Sequence, residues 1–398
     1  MRIGLLGTGA LGCTFAARLA PVAEVWMLGA WSEGVAAVQR RGVTVHEPDG
    51  RLRQAQVRAT NDPRDLPVCD VAVVLVKSYQ TERAAAWAGH ILAAGGLAVT
   101  LQNGLDNGPR LEAGLAENPP GWMSLSNASP ARSLPVPDAM PVRRLPVGRP
   151  VEKCPGLEAS AGYMVGESDR LILTGGFAQP RDRDGGRFSE QSPTRIPARA
   201  VAVGVTYNGA TLRGPGEARH VALLPTYIAA PAPAADRAAA FVALLQEAGL
   251  PAHVDADIAG RLWGKATANA AINPLTALWR VPNGELLVNT DRRALLHALA
   301  HEAAAVATAR GVTLPFEDPR AYVEEVCRAT AANRSSMLQD IERGRPTEID
   351  SINGVIVATG RRLNIPTPVN TTVWRLIRGL RGEAEAEVAA KVEVEAEA

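Results

Sequence analysis

The N-terminal part of the chain alternates between short apolar runs and segments in which apolar residues have helical spacing. The run DVAVVLV (70–76) is continuous and rich in β-branched residues, as expected for a parallel strand that is buried on both faces. Strands that alternate with helices in this way predict a doubly wound α/β sheet. The predicted elements are strands at 2–6, 24–28, 70–76 and 96–104, a helix at 32–42, a resumed α/β segment at 199–216, a helix at 234–248 and a strand at 251–257.

From residue 258 onward the pattern is helical throughout. Pro274 is expected to end the first helix, because proline lacks an N–H and clashes with the preceding turn. Thr347 is expected to cap a later helix, which would place Glu348 in the first turn of that helix. The predicted helices are 258–273, 283–289, 292–310, 317–343, 347–361 and 370–381.

This order of elements predicts an α/β fold with an N-terminal Rossmann-type dinucleotide-binding domain, 1–257, and a C-terminal all-α domain, 258–381. Residues 119–197 interrupt the first domain and hold 12 of the 29 prolines. We expect this insertion to be mostly irregular, since its prolines and polar residues cannot build a core, with RLILTGG as a candidate edge hairpin. The repetitive acidic tail, 382–398, is expected to be solvated.

Composition narrows the class of protein. The chain has 398 residues, of which 46% are hydrophobic and 21% charged, as is typical of globular proteins. A net charge of +1 gives no reason to expect nucleic acid or a membrane surface as a partner. Four scattered cysteines without a C-x-x-C pair predict neither a disulfide framework nor a zinc site. Because a strand pattern begins at once and no apolar span of about 20 residues is seen there, we expect a soluble cytoplasmic protein without a signal peptide.

A glycine-rich turn joins the first predicted strand to the first predicted helix. Gly7, Gly9 and Gly12 form G-x-G-x-x-G in this turn. Gly7 permits the tight turn, Gly9 lets a pyrophosphate approach the backbone, and Gly12 lets helix and strand pack closely. The helix N-terminus would offer its N–H groups to the phosphates. A dinucleotide site is therefore predicted at Gly7, Thr8, Gly9, Ala10, Leu11 and Gly12.

The end of the second strand bears on the choice of cofactor. NAD sites usually place an acid about 20 residues after the glycines, but the segment LGAWS has Ala30 and Ser32 there. The missing acid favours NADPH, while the missing arginine keeps NADH as an alternative. Arg40 and Arg41 are candidates for binding a 2′-phosphate only if the following helix turns them inward.

Polar residues also stand at the ends of two later strands and on one helix face. Lys77 ends one predicted strand, and Asn103 lies where the segment 96–104 runs from a strand into a loop; the carboxyl ends of such strands face the ligand crevice. The alternatives are a solvated lysine and a turn asparagine. Lys265, Asn269 and Asn273 recur at four-residue intervals and so share one helix face. They can point at one small ligand, or they form a solvated stripe on an amphipathic helix.

Two further pairs of residues have the spacing of functional groups. Ser336 and Glu348 lie on either side of a break at 344–346; a hydroxyl facing the core and an acid that favours a helix N-terminus are the alternatives. His297 and His301 have the i, i+4 spacing of metal ligands, but they lack the H-E-x-x-H pattern and a third ligand. A solvated helix face is therefore favoured over a metal site for these histidines.

Three stretches together resemble the ketopantoate reductase (2-dehydropantoate 2-reductase) family: GTGALG, GKATANAAINPLTALWRVPNGEL (264–286) and SSMLQDIERGRPTEIDSING. The resemblance covers nearly the whole chain apart from 119–197 and the acidic tail. It implies a Rossmann-type domain and a helical second domain. It also implies NADPH-dependent reduction of ketopantoate to (R)-pantoate, on the route to pantothenate and coenzyme A.

The resemblance implies roles for individual residues as well. Lys265 would be the general acid, and Glu348 would lie beside it and the nicotinamide. The substrate contacts would be Asn103, Asn269, Asn273, Asn283 and Ser336. The cofactor contacts would be Gly7 to Gly12, Lys77, Asn103, Ala210 and Glu348. The chain departs from the family pattern at Ala30, where arginine is usual, and in the insertion, which has no counterpart.

Other activities fit part of the same pattern. A different 2-oxoacid reductase or an opine-type dehydrogenase would share the glycine motif. A non-catalytic dinucleotide sensor would not need Lys265 together with Glu348, and the sequence has both. For an enzyme of this kind the expected partner is a small-molecule 2-oxoacid, and the chain is expected to act as a monomer or a homodimer.

Overall fold

The computed structural model describes residues 1–117 and 200–380. The predicted insertion at 119–197, with its candidate hairpin, and the predicted acidic tail at 382–398 lie outside the described residues. The strands are β1 (Arg2–Leu6), β2 (Glu24–Leu28), β3 (Val43–His46), β4 (Leu52–Ala55), β5 (Arg58–Thr60), β6 (Cys69–Val74), β7 (Leu92–Thr100), β8 (Ala200–Thr206), β9 (Gly209–Gly214), β10 (Glu217–Ala222), β11 (Thr226–Ala229) and β12 (Ala252–Val254).

Helices alternate with these strands at first and then follow one another. They are α1 (Ala10–Leu19), α2 (Ser32–Arg41), α3 (Thr81–Ile91), α4 (Asn107–Glu117), α5 (Ala235–Glu247), α6 (Ile258–Trp279), α7 (Thr290–Ala309), α8 (Pro319–Ala329), α9 (Ser336–Glu342), α10 (Val355–Leu363) and α11 (368–380). Among these helices, none is apolar over a stretch long enough to cross a membrane.

The main sheet has eight strands in the order β12-β11-β8-β7-β6-β1-β2-β5. All neighbouring strands are parallel except β8 and β11. Strand β1 is buried on both faces: Ile3 and Leu5 pack with Phe15 of α1, while Leu6 packs with Val74 in a second cluster. The predicted α/β fold with an N-terminal Rossmann-like sheet and a C-terminal helical domain is confirmed.

A second sheet of four strands, in the order β4-β3-β10-β9, packs against α1. The sequence patterns did not predict it. The segment 199–216, expected to resume the main α/β pattern, instead divides between two sheets: β8 joins the main sheet and β9 joins the second one. Short strands such as VTVH and LRQA are half-exposed, and they carry too few apolar residues to predict a sheet from the sequence alone.

Helix α6 runs through Pro274 to Trp279, so the expectation that Pro274 ends it was wrong. In a regular helix the N–H of residue 274 would bond to the carbonyl of Ala270. Proline has no N–H, but the side chain of Asn353 donates to the Ala270 oxygen from 3.0 Å. A buried donor from a distant part of the chain therefore replaces the missing helix bond, and α6 ends only where Arg280 adopts a left-handed conformation.

Three other helix boundaries differ from the predicted ones. The predicted helix 317–343 is two helices, because Asp318 caps α8 and Ser335 caps α9 after a break at 330–335. The predicted helix 283–289 is only a 3₁₀ turn, Asn283–Leu286. The helix expected from Thr347 begins as a π-helical turn, Asp350–Gly354, so that Glu348 precedes the helix rather than lying in its first turn.

Replacement of Asn353 by leucine should destabilise the protein by about 1–3 kcal/mol, because the buried Ala270 carbonyl is left without a donor. The same replacement in a Pro274→Ala background should cost less, since the alanine N–H can bond to that carbonyl. Urea denaturation of the four proteins of this cycle measures the difference. Equal losses in the two backgrounds would contradict the proposed repair of helix α6.

Candidate active site

The glycine turn between β1 and α1 has two glycines that the protein's own packing requires and one that it does not. Gly7 has a φ of +135°, a left-handed conformation that favours glycine. A Cβ on Gly12 would lie 2.1 Å from the Gly7 oxygen, so only glycine fits there. A Cβ on Gly9 would meet no described atom within 4 Å, so the space above its backbone is open.

The start of α1 offers unpaired donors to this open space. The first hydrogen bond at this helix end runs from the Cys13 N–H to the Gly9 oxygen. The amides of Ala10, Leu11 and Gly12 therefore have no acceptor within the helix, and no acidic residue occupies its first turn. An open backbone and free amides at a helix N-terminus fit the pyrophosphate of a dinucleotide.

The carboxyl end of β2 carries no charged group. Ala30 is exposed, and the ring of Trp31 lies on the first turn of α2, where a Cβ on Gly34 would come within 2.2 Å of it. Arg41 donates to the Pro215 oxygen at 3.1 Å, near the second sheet, and Arg40 is exposed in the same last turn of α2. The helix therefore does not turn these arginines inward.

Lys77 follows β6 and reaches two carboxylates from the helical part of the chain. Its Nζ lies 2.7 Å from Asp340 and 3.5 Å from Glu348. Burial by itself would lower the pKa of Lys77, but the charges of Glu348 and Asp340 overcome this and raise it above the ordinary value. Burial raises the pKa of Asp340 despite the nearby lysine. Lys77 is therefore a fixed cation in an ion-pair cluster and not the solvated lysine of the alternative interpretation.

Glu348 ties the ends of two strands together. One oxygen accepts a hydrogen bond from the Ser78 N–H at 3.0 Å, and the other accepts from the side chain of Asn103 at 3.4 Å. With only 6% of its surface exposed, Glu348 is almost fully buried. Its hydrogen-bonding partners are thus on the strand side of the cluster, and Lys265 is not among them.

The polar row on α6 is not a solvated stripe. Asn273 is buried, and Lys265 and Asn269 are half-buried. Within residues 1–117 and 200–380, neither asparagine side chain has a hydrogen-bond partner. Buried amides normally find partners, so unpaired amides on one helix face fit a site that a polar ligand completes.

Lys265 has one hydrogen-bond partner among the described residues, the main-chain oxygen of Thr206, at 2.7 Å from Nζ. The ring centroid of Tyr207 is 5.9 Å from the same nitrogen. Burial lowers the pKa of Lys265 to about 8, and the negative charge of Glu348 opposes this shift only in part. Lys265 is therefore a cation that can release its proton near neutral pH.

Lysine is a rare residue in this chain. Only 4 of the 42 basic residues (lysine and arginine) are lysines, namely Lys77, Lys153, Lys265 and Lys391. Two of these four belong to the candidate site. Arginine remains charged at any physiological pH, whereas lysine can be tuned by burial, so the choice of lysine at position 265 fits proton transfer.

The other predicted site residues differ in their hydrogen bonds and in their distance from the ion-pair cluster. Asn283 donates to the Thr330 hydroxyl at 2.9 Å, and its buried Oδ1 has no partner among the described residues. Ser336 is half-buried with no described partner for its hydroxyl, whereas the neighbouring Ser335 is occupied as a helix cap. Ala210 lies on β9 in the second sheet, and the contacts that join Lys77, Asn103 and Glu348 do not include it.

Sequence reasoning missed two groups of the site. Asp340, the closest partner of Lys77, has no motif of its own within the stretch that carries Ser336 and Glu348. The Thr206 carbonyl is a main-chain group, which no residue pattern reveals. Only the packing of β8 beside α6 brings this oxygen to Lys265.

Two relatives at the level of sequence carry the same name. A 2-dehydropantoate 2-reductase of Archaeoglobus fulgidus is 40% identical over 183 residues, which span 46% of this chain and 61% of that protein. A 2-dehydropantoate 2-reductase of Halobacterium salinarum is 29% identical over 380 residues, which span 95% of this chain and 98% of that protein.

Solved structures extend the likeness to the whole fold. A PanE/ApbA family ketopantoate reductase from Ralstonia eutropha matches with a TM-score of 0.71 at 24% identity, over 97% of this chain and 100% of that one. D-mandelate dehydrogenase, in a ternary structure with NADH and anilino(oxo)acetate, also gives 0.71, at 19% identity over 97% and 100%. At these identities the likeness establishes the fold.

Two family models match separate parts of the chain, with residues 127–256 between them. The model described as ketopantoate reductase PanE/ApbA matches residues 3–126, which contain the glycine turn, Lys77 and Asn103. The model described as ketopantoate reductase PanE/ApbA C terminal matches residues 257–381, which contain Lys265, Ser336 and Glu348. The N-terminal match and the C-terminal match come from two models of one family, so the chain belongs to the ketopantoate reductase family.

Proposed function

We propose that this chain is an oxidoreductase that uses a nicotinamide dinucleotide, and that it reduces 2-dehydropantoate to (R)-pantoate with NADPH, as a step towards pantothenate and coenzyme A. The observation that carries the proposal is Lys265: a half-buried lysine whose pKa burial lowers to about 8, on a helix face with two amides that have no partner among the described residues. The family to which the chain belongs and the open glycine turn support the same activity.

A bound dihydronicotinamide would supply the hydride, and the residues of this chain would do the rest. Negative charge develops on the carbonyl oxygen of the substrate as the hydride is added, and that oxygen needs a proton. Lys265 would donate this proton from Nζ and stabilise the developing charge. Asn269 and Asn273 would orient the 2-oxoacid, because amides donate and accept hydrogen bonds without adding charge. Asn283 and Ser336 would complete the substrate contacts with their unpaired groups.

Glu348 would act on Lys265 through its charge. Its carboxylate is held by Ser78, Asn103 and Lys77, and it raises the proton affinity of Lys265 from a distance. Without that charge the buried ammonium would lose its proton at a lower pH. In this proposal Glu348 and Asn103 link the substrate contacts to the cofactor contacts.

The direct test is oxidation of NADPH, and separately of NADH, by the purified chain with 2-dehydropantoate, followed by absorbance. We expect turnover with both cofactors to depend on 2-dehydropantoate and to be faster with NADPH. Absence of turnover by folded protein that binds a dinucleotide would contradict the proposed substrate. Faster turnover with NADH would contradict the proposed cofactor alone.

Lys265→Ala should lower kcat by about 100-fold or more, the usual scale of a general acid–base group. In the unaltered chain, kcat/KM for reduction should fall as the pH rises through about 8, because the ammonium form is the proton donor and burial lowers its pKa to that value. The Lys265→Ala variant should lack this fall in kcat/KM at alkaline pH, which is the alkaline limb of the pH profile. Lys391→Ala, a lysine replacement in the acidic tail, is the control. An effect of Lys265→Ala below about threefold would remove Lys265 from the mechanism.

Glu348→Gln should move the alkaline limb of the pH profile to lower pH, because the carboxylate raises the pKa of Lys265 and glutamine cannot. Asp340→Asn is the matched control: it removes a charge from the same ion-pair cluster, whereas the charge that opposes the shift in the Lys265 pKa belongs to Glu348. The role assigned to Glu348 would be refuted if the alkaline limb of the pH profile did not move in Glu348→Gln. It would also be refuted if the limb moved by the same amount in Glu348→Gln and Asp340→Asn.

Ala30→Arg should lower the KM for NADPH by roughly tenfold, on the scale of one charge-assisted hydrogen bond, and leave the KM for NADH nearly unchanged. Ala30 is exposed at the end of β2, so the longer side chain can be accommodated. Kinetics with each cofactor at saturating substrate measure the effect. An equal change for both cofactors would mean that the 2′-phosphate does not lie beside position 30.

Reduction of a different 2-oxoacid is the second candidate function. The Tyr207 ring near Lys265 offers an apolar surface that a larger substituent would bury. D-mandelate dehydrogenase, which shares the fold, takes its name from a 2-hydroxy acid with an aromatic substituent. A comparison of kcat/KM for 2-dehydropantoate and phenylglyoxylate separates the candidates, since the larger value identifies the better substrate class.

A further inference from the structure

The carbonyl group that holds Lys265 belongs to a loop with its own buried polar framework. Thr206 is the last residue of β8, and Asn208 stands just before β9, so the loop links the main sheet to the second sheet. Thr206 is 1% exposed and Asn208 is 7% exposed. A loop buried to this degree must satisfy its polar groups internally.

Asn208 makes most of these bonds. Its Nδ2 donates to the Leu224 oxygen at 2.7 Å and to the Thr206 hydroxyl at 3.1 Å, and its Oδ1 accepts from the Leu224 N–H at 3.2 Å. The hydroxyl of Thr226, which is fully buried, donates to the Thr206 hydroxyl at 2.9 Å. Side-chain bonds therefore fix Thr206 from two directions.

The framework continues away from the active site. The Nε2 of His220 lies 3.0 Å from the Asn208 Oδ1, and its Nδ1 lies 2.9 Å from Glu47. Glu47 in turn pairs with Arg18 of α1 at 2.6 Å and with Arg53 of β4 at 2.9 Å. Asn208 is thus held on one side by the second sheet and α1, and on the other side it fixes the residue that contacts Lys265.

We propose that Asn208 is a positioning residue for the reaction: it fixes the Thr206 carbonyl and thereby the place of the Lys265 ammonium group. The inference rests on the proposed function in so far as Lys265 is the proton donor. Lys265 has no carboxylate partner within ion-pair distance among the described residues. A single carbonyl oxygen is then the only described hydrogen-bonding group that orients its Nζ. The peptide group of this carbonyl is held through the Tyr207 N–H, which donates to the Pro225 oxygen at 3.1 Å, so a shift of this loop would shift the anchor of the lysine.

Other groups near Lys265 do not replace this anchor. Glu348 acts on it through charge, and the ring of Tyr207 lies 5.9 Å from Nζ. Arg261, one helical turn earlier, is engaged with Asp255 and lies over the ring of Tyr227. These groups contribute charge and burial, whereas the Thr206 oxygen orients the Nζ of Lys265 by accepting its hydrogen bond.

The test compares two variants that loosen the anchor with a matched control. Asn208→Ala removes the central amide, and Thr226→Val removes one hydroxyl while keeping the shape of the side chain. Thr226→Val also keeps the test valid if Asn208→Ala does not fold. Thr267→Val is the control, because the buried Thr267 hydroxyl has no hydrogen-bond partner among the described residues and lies two residues from Lys265 on the same helix.

The readout is the titration of Lys265 itself by NMR in protein with isotope-labelled lysine. The chain has 4 lysines, so the Lys265 signal can be assigned from its loss in Lys265→Ala. Loss of an acceptor that favours the ammonium form should lower the pKa of Lys265, by about 0.5 unit or more in Asn208→Ala and by less in Thr226→Val. Thr267→Val should titrate as the unaltered chain does.

Kinetics supply the second readout. In both anchor variants kcat should fall while dinucleotide affinity, measured by fluorescence titration, stays unchanged. A Lys265 signal that titrates at the unaltered pH or higher in both anchor variants would overturn the inference, whatever the activity. Absence of turnover with 2-dehydropantoate in the unaltered chain would instead refute the proposed function, and the lysine titration would still decide the role of Asn208.

Discussion

One hydrogen bond from a distant asparagine makes the central helix of this protein continuous. Pro274 would otherwise leave the Ala270 carbonyl unpaired inside the helical part, where no water can reach it. Asn353 supplies the missing donor, and α6 extends from Ile258 to Trp279. The row of Lys265, Asn269 and Asn273 lies on one face of this helix, in the part that precedes the proline.

The candidate site places two lysines in opposite electrostatic settings. Lys77 lies between two buried carboxylates, which raise its pKa, and Lys265 lies beside a single carbonyl oxygen, where burial lowers its pKa to about 8. The carboxylates of Asp340 and Glu348 instead bond to groups at the ends of the strands, namely Lys77, Ser78 and Asn103, so neither pairs with Lys265. This division leaves one fixed cation and one cation that exchanges protons, a pattern seen where sites assign different roles to chemically similar groups.

Sequence patterns predicted the elements whose structure depends on residues near one another in the chain. The strand, glycine turn and helix at the N-terminus follow from apolar periodicity and from the conformation of Gly7. The polar row on α6 follows from helical geometry. The continuation of α6 past Pro274 could not be predicted, because the compensating donor lies 83 residues from Ala270 in the chain.

The other differences between the predictions and the structure also arise from contacts between distant parts of the chain. The second sheet is built from short strands far apart in sequence, with pairs such as β3 and β10. The partners of Glu348 come from two strand ends that only the tertiary fold brings together. The Thr206 carbonyl has no residue signature at all. Residue types thus indicated candidate side chains for the site, whereas the protonation behaviour of those side chains depends on long-range packing.

In the proposed mechanism a lysine of lowered pKa gives the proton to the substrate. The most direct measurement compares two pH values in the unaltered chain: the midpoint of the Lys265 titration by NMR and the midpoint of the alkaline limb of kcat/KM for reduction of 2-dehydropantoate. Both midpoints should lie near pH 8 and coincide, because both report the free enzyme. A lysine that titrates near its ordinary pKa of about 10.4, well above the limb in activity, would contradict this mechanism.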